Sequence, residues 1–185
     1  AFVPTAPMAA PRYRHAAALL PDGRVLVAGG WSGQGVLATA EEYDPARGTW
    51  AATAAMQQPR MGHTLTALPD GSVLVAGGSP AAMTERFDPI RRQLAAAGSL
   101  AMPRQGHTAT ALPDGGVLVA GGYGASALAS AEEFTPAGSG ERCRKAADLT
   151  WAPTPLKRGT PPSREGEVLR WSGIADGDGQ PDCLD

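Results

Sequence analysis

Leu20-Pro21-Asp22-Gly23-Arg24-Val25-Leu26-Val27-Ala28-Gly29-Gly30 is followed by two near copies of itself, Leu68 to Gly78 and Leu112 to Gly122. A short apolar run, β-branched at alternate positions, opened by Asp-Gly and closed by Gly-Gly, reads as a buried strand between two turns. Working outward, each copy is preceded by Pro-Arg-x-x-His at a fixed distance. His15, His63 and His107 stand seven residues before Asp22, Asp70 and Asp114. The blocks run from Pro11 to Gly30, from Pro59 to Gly78 and from Pro103 to Gly122, and start 48 and 44 residues apart. A period of this size marks a repeat architecture, in which each unit is one supersecondary element that must stack on its neighbours.

Each unit continues beyond the double glycine. Glu41-Glu42-Tyr43-Asp44-Pro45, Glu85-Arg86-Phe87-Asp88-Pro89 and Glu132-Glu133-Phe134-Thr135-Pro136 fill one slot, and Trp50 and Leu94 follow five residues after the proline in the first two. The difference between 48 and 44 residues falls in the stretch between Gly-Gly and that slot, where a loop absorbs insertions at little cost. His15 to Leu20, Asp22-Gly23 and Val25 onward form a hairpin; the slot is a third strand; Trp50 to Met56 and Leu94 to Leu100 are fourth strands. No segment carries an apolar i, i+3, i+4, i+7 stripe over three turns, so the fold class is all-β.

Four strands per unit, Gly-Gly after the second, then an aromatic and a Trp: in these landmarks the chain resembles the kelch repeat of β-propellers. The resemblance covers roughly residues 2 to 136 and implies about three four-stranded antiparallel blades, a partial propeller. Repeat 1 is expected at 9–56, repeat 2 at 57–100 and repeat 3 at 101–136. Leu94 stands where the family usually carries Trp, and Glu141 occupies that place in the third unit, which displaces or removes its fourth strand. The Leu-Pro-Asp-Gly wording is similar to bacterial kelch and galactose-oxidase-like propellers.

Phe2 and Met8 share the spacing of Trp50 and Met56, so residues 2–8 look like the fourth strand of a preceding blade. Such a strand either closes the ring on the last blade or belongs to a longer chain cut in mid-blade; the second is favoured, because closed propellers need about four to eight blades. Further blades would then come from the rest of that chain or from another subunit. Residues 137–173 are an irregular segment in which Trp151 to Leu156 is either a late fourth strand or part of a linker.

With 24 Gly and 17 Pro beside 43% hydrophobic residues, the composition fits many turns around a real core. Arginine supplies 14 of 16 basic residues, a bias that suggests a GC-rich bacterial genome. A net charge of −2 without a basic cluster argues against nucleic acid as a partner. No apolar run approaches the ~20 residues that span a bilayer.

Residues 174–185 end in Asp176-Gly-Asp178-Gly-Gln180-Pro-Asp182-Cys-Leu-Asp185. Calcium takes hard oxygen ligands, and glycines between aspartates let a backbone wrap the ion. The stretch resembles a thrombospondin type 3 calcium repeat in its bacterial cell-envelope form. That resemblance implies Asp176, Asp178, Asp182 and Asp185 as ligands of a Ca²⁺ cofactor, with Ile174 standing where the family has another Asp. Cys143 and Cys183 form one extracellular disulfide or remain two free thiols.

Arg12, Arg60 and Arg104, His15, His63 and His107, and the pairs Gly29-Gly30, Gly77-Gly78 and Gly121-Gly122 recur in every unit. A position common to all blades serves the blade, so these are expected as structural residues, the arginines binding backbone carbonyls or Glu41, Glu85 and Glu132 of a neighbouring unit. No nucleophile–base pair, phosphate loop or pair of catalytic carboxylates stands out. The expected function is a non-catalytic interaction module of an extracellular or cell-surface bacterial protein, its loops presenting a surface for a protein or glycan. The alternative is part of a galactose-oxidase-like copper-radical oxidase, whose site needs two Tyr, two His and a Cys cross-linked to one Tyr; here only Tyr13, Tyr43 and Tyr123 are available and neither Cys lies in a blade. An intracellular adaptor is disfavoured by the calcium-like tail.

Overall fold

Asp-Gly turns and Gly-Gly breaks cut the chain into short strands, and the structure, a computed structural model, shows where each lies. It describes residues 1–78 and 82–136; the expected irregular segment, the calcium-like tail and both cysteines lie outside the described residues. Eleven strands form three antiparallel sheets among the described residues, with no helix. The first sheet holds β1 (Ala16–Leu19), β2 (Val25–Ala28), β3 (Ala40–Asp44) and β4 (Thr49–Ala52). The second holds β5 (Thr64–Ala67), β6 (Val73–Ala76), β7 (Met83–Asp88) and β8 (Gln93–Ser99). The third holds β9 (Thr108–Ala111), β10 (Val117–Ala120) and β11 (Ala131–Phe134). In every sheet spatial order follows chain order, the meander of a propeller blade.

The Pro-Asp-Gly turn makes the first hairpin of each blade. Leu20 N–H donates to Arg24 O at 2.8 Å, Gly23 N–H donates back to Leu20 O at 3.0 Å, and the Asp22 carboxylate accepts from Arg24 N–H at 3.0 Å. The same bonds recur at Leu68–Ser72 and Leu112–Gly116.

Alternation along the second strand builds the core between blades rather than within one. Leu26 and Ala28 of β2 meet Val73 and Val75 of β6, with Leu20, Met56 and Phe87 in the same cluster. From the other face of β6, Leu74 and Ala76 meet Val117 and Val119 of β10, together with Leu68 and Leu100. A strand with both faces covered is apolar throughout, which is why Val-Leu-Val-Ala reads as a continuous run. Packing between sheets runs through the first strands, β1 against β5 and β5 against β9, as in blades arranged around one axis.

The fourth strand of the first blade is shorter than expected, whereas that of the second falls within one residue of the expected Leu94–Leu100 at each end. β4 stops at Ala52, because Thr53 N–H turns to Ala40 O and Met56 N–H to Ala38 O, which carries the Met56 side chain into the inter-blade core. β8 runs on to Ser99, helped by an irregularity in register at Thr84/Glu85. Residues 2–8 form no strand; the chain is held instead by Trp50 Nε1–H on Ala6 O at 2.9 Å. Trp50 and Tyr43 pair with ring centroids 5.0 Å apart, whereas in the second blade Leu94 sits across from the buried Phe87. The aliphatic side chain packs partly buried against the inter-blade core.

Candidate functional site

The repeated arginine and glutamate make one clamp per blade. Arg12 donates through Nη1 to Gly29 O at 2.8 Å and Thr39 O at 3.1 Å, and through Nη2 to Glu41 Oε1 at 2.6 Å. Arg60 repeats this on Gly77 O, Met83 O and Glu85, at 2.9, 2.7 and 2.9 Å. Arg104 repeats it on Gly121 O, Ser130 O and Glu132, at 2.8, 3.0 and 2.6 Å. The second carboxylate oxygen then takes the N–H of the residue three before the arginine: Ala9, Gln57 and Ala101. The partners lie in the arginine's own unit, not in a neighbouring one as the sequence suggested, because the guanidinium spans the two chain ends leaving β2 and entering β3. Arg60 and Glu85 are both fully buried. The clamp closes the base of the variable loop and leaves its tip free to differ between blades.

The histidines join blades. An ideal Cβ on Gly29 would lie 2.6 Å from His63 Cε1 and 2.5 Å from Arg60 O; on Gly77 it would lie 2.5 Å from both His107 Cε1 and Arg104 O. Gly30 N–H donates to Arg60 O at 2.7 Å and Gly78 N–H to Arg104 O at 2.8 Å. Among the described residues neither nitrogen of His63 makes a well-formed hydrogen bond, and burial, reinforced by the Arg60 charge and only partly offset by the Ala28 backbone, pushes its pKa down to about 4. His107, bonded to Thr64 Oγ1 at 3.1 Å, is lowered by burial and then by Arg104. His15 is exposed. His63 lies near enough to feel the charges of both His107 and His15, yet no group of three or more His, Cys, Asp or Glu among the described residues is placed to hold a metal. Asp176, Asp178, Asp182 and Asp185 lie outside the described residues.

A second inter-blade ladder has no counterpart in the sequence expectations. Gly106 N–H donates to Gly62 O and Gly62 N–H to Arg14 O, both at 2.8 Å. All three residues have positive φ, 62°, 66° and 55°. Glycine at two of three equivalent positions was the readable signal; Arg14 takes the left-handed conformation at some cost. Arg92 of the second blade also reaches Glu42 of the first at 2.7 Å.

The two ends of the blades differ in chemistry. At the end of the Asp-Gly turns, charges are paired locally: Asp22 with Arg24, Asp44 with Arg47, Asp88 with Arg91. At the opposite end the chain forms short bridges between Tyr13 and Trp31 and between Gln105 and Tyr123. There a cleft of about 400 Å³ is lined by segments of all three blades, among them Val36, Met61, Pro103 and Tyr123. Tyr13 and Tyr123 are 57% and 54% exposed, a large apolar surface on backbone that the clamps hold.

Repeated meanders with radial clamps and glycine junctions are the construction of propeller blades. The Kelch motif family model matches residues 12–57, one full repeat from the Arg12 clamp to the residue after Met56, and the three antiparallel sheets fit kelch-type β-propeller blades. A search of the curated proteins finds no match. No helix among the described residues is long and apolar enough to cross a membrane.

Proposed function

We propose that this chain is a non-catalytic interaction module of an extracellular or cell-surface protein, and that it takes a protein segment on the loop face around Tyr123. One observation carries the reading: the cleft drawn from three blades, with Met61 and Tyr123 on its wall, lies on the end where loop length varies while the loop bases are clamped. Rigid scaffold with variable loops is where binding surfaces are built, and aromatic residues give large contact at low conformational cost. Kelch repeats generally serve binding, which supports the class. The carboxylate pattern from Asp176 to Asp185 supports a calcium-rich, extracellular setting.

The test is a peptide-display library and a glycan array probed with the full chain. Ligands lost with Tyr123→Ala and with Met61→Asp, yet kept with Arg47→Ala at the opposite end, support the reading. Peptide ligands support the protein class, whereas glycan ligands alone move the assignment to carbohydrate. Ligands indifferent to both loop-face substitutions remove it.

A further inference from the structure

Arg14 is the exception among the arginines. Every other arginine of the described residues pairs with a carboxylate. Arg14 is exposed, and its side chain makes no hydrogen bond or ion pair among the described residues. It stands where the other two blades have glycine, Gly62 and Gly106, and it takes their left-handed backbone at φ 55°. Glycine would hold the inter-blade ladder equally well and without the strain. The backbone gives no reason for an arginine here; what arginine adds is its side chain.

The ladder also sets where that side chain leaves the backbone. A Cβ on Gly62 would lie 3.4 Å from the Cβ of Gln105. Gly62 O accepts from Gly106 N–H as Arg14 O accepts from Gly62 N–H, both at 2.8 Å. Arg14 is thus related to Met61 as Gly62 is to Gln105, and its side chain starts beside Met61, on the cleft that Met61, Gln105 and Tyr123 line. No carboxylate among the described residues answers it there. Those outside the clamps lie towards the opposite end of the blades: in the Asp-Gly turns, in the turns after β3 and β7, or beside Arg24 and Gly116. An apolar cleft next to one uncompensated guanidinium is complementary to a segment that carries a carboxylate beside an apolar side chain. Taking the loop face as the ligand site, we propose that the segment bound there is an acidic peptide. One of its carboxylates pairs with Arg14, and the apolar residue next to it enters the cleft between Met61 and Tyr123. The strained backbone at Arg14 is then stability given up for a ligand contact.

The full chain and its Arg14→Gly variant are panned against one random peptide-display library, and synthetic copies of the selected peptides are titrated. Wild type is expected to enrich peptides with an acidic residue next to a large apolar one. Arg14→Gly keeps the ladder and relieves the strain, so its unfolding midpoint in urea is expected to be no lower than that of wild type. It is nonetheless expected to bind the selected peptides about tenfold more weakly, the size of a lost hydrogen bond between charged groups. Replacing the peptide's acidic residue by its amide should weaken binding to wild type by the same factor and leave binding to Arg14→Gly unchanged, which ties the two charges to one contact. Peptides without an acidic bias that are still lost with Tyr123→Ala leave the loop face as the ligand site and overturn the acidic partner. So does an amide penalty of equal size in wild type and Arg14→Gly, which places the peptide's carboxylate on another group. Peptides indifferent to both Tyr123→Ala and Met61→Asp, or no enrichment at all, overturn the acidic partner and the loop-face site together.

Discussion

His63 Cε1 lies 2.6 Å from the point that a Cβ on Gly29 would occupy, so the imidazole of one blade fills the space left by the missing side chain of the blade before it. The repeated histidine and the repeated first glycine are two halves of one contact, shared across the junction. Their recurrence in every unit follows from the stacking of units.

Gly29 and Gly121 therefore separate backbone conformation from packing. Their φ values are 63° and 67°, so Ala costs about the same conformational free energy at either site, about 1 kcal/mol. At Gly29 the new methyl also meets the carbonyl of Arg60, which cannot rotate away. In urea unfolding at low protein concentration, Gly29→Ala is expected to lose about 2–4 kcal/mol and Gly121→Ala about 1. Equal losses would show that the junction does not exclude a side chain.

Arg60 is the buried centre of its clamp. Replacing it with Met keeps apolar bulk but leaves the Glu85 carboxylate buried, with the Gly77 and Met83 carbonyls short of a donor. A loss of about 3–5 kcal/mol is expected, as for one partner of a buried pair. Arg60→Lys is expected to rescue little, because an ammonium cannot reach three acceptors in the planar fork that guanidinium offers. Arg47→Ala, in an exposed pair with Asp44, is expected to leave the unfolding midpoint unchanged. Full rescue by Lys would mean that charge alone, without the fork geometry, holds the clamp.

Strand number, hairpin turns and the inter-blade core were legible because Val-Leu-Val-Ala between Asp-Gly and Gly-Gly can be little else, and because it occurs three times. The partners of Arg12, Arg60 and Arg104 were only half legible. The glutamate candidates follow from the repeat, but whether a long side chain turns into its own blade or the next is set by where β2 and β3 diverge. The Arg14, Gly62 and Gly106 ladder was hidden in the first unit, where arginine occupies a glycine's conformation. The cleft beside Tyr123 was not legible as a site: Pro59, Gly78, Pro103 and Arg104 on its lining are repeat positions, but the repeat does not say that they meet Val36 and Tyr123 of the variable loops. The extent of β4 was overdrawn because Met56 looks like a strand residue and is instead a core residue reached after the ladder ends.

The tail gives a prediction that rests on sequence. If Asp176, Asp178, Asp182 and Asp185 bind calcium with one ligand short at Ile174, affinity falls in the weak extracellular range, ~10⁻⁴–10⁻³ M. Titration calorimetry of the full chain should show a heat that Asp178→Ala abolishes, with unfolding of the blades unaffected by chelator. No heat at millimolar calcium removes the ligand assignment.

The pH dependence of stability follows from the junction histidine. His63 titrates near 6.5 when unfolded and is pushed to about 4 in the folded chain, by burial first and the Arg60 charge second. The unfolded chain therefore binds more protons between these values. Stability is at its full value above about pH 6.5, falls as pH drops towards 4, and is flat with respect to this group below that. A shift of this size corresponds to about 3 kcal/mol over the window. His107 is lowered by the same causes and adds to the slope in the same direction. The carboxylates of Asp22 and Glu132 are shifted down by their hydrogen bonds and arginine partners, against the opposing effect of burial, so their contributions are lost only at lower pH. Urea unfolding of the wild type at pH 7 and pH 4.5 should thus show a marked loss. His63→Phe, which keeps a ring against Gly29 and cannot take up a proton, should flatten most of it even if its stability at pH 7 is lower. A His63→Phe chain with the wild-type slope would place the titrating group elsewhere.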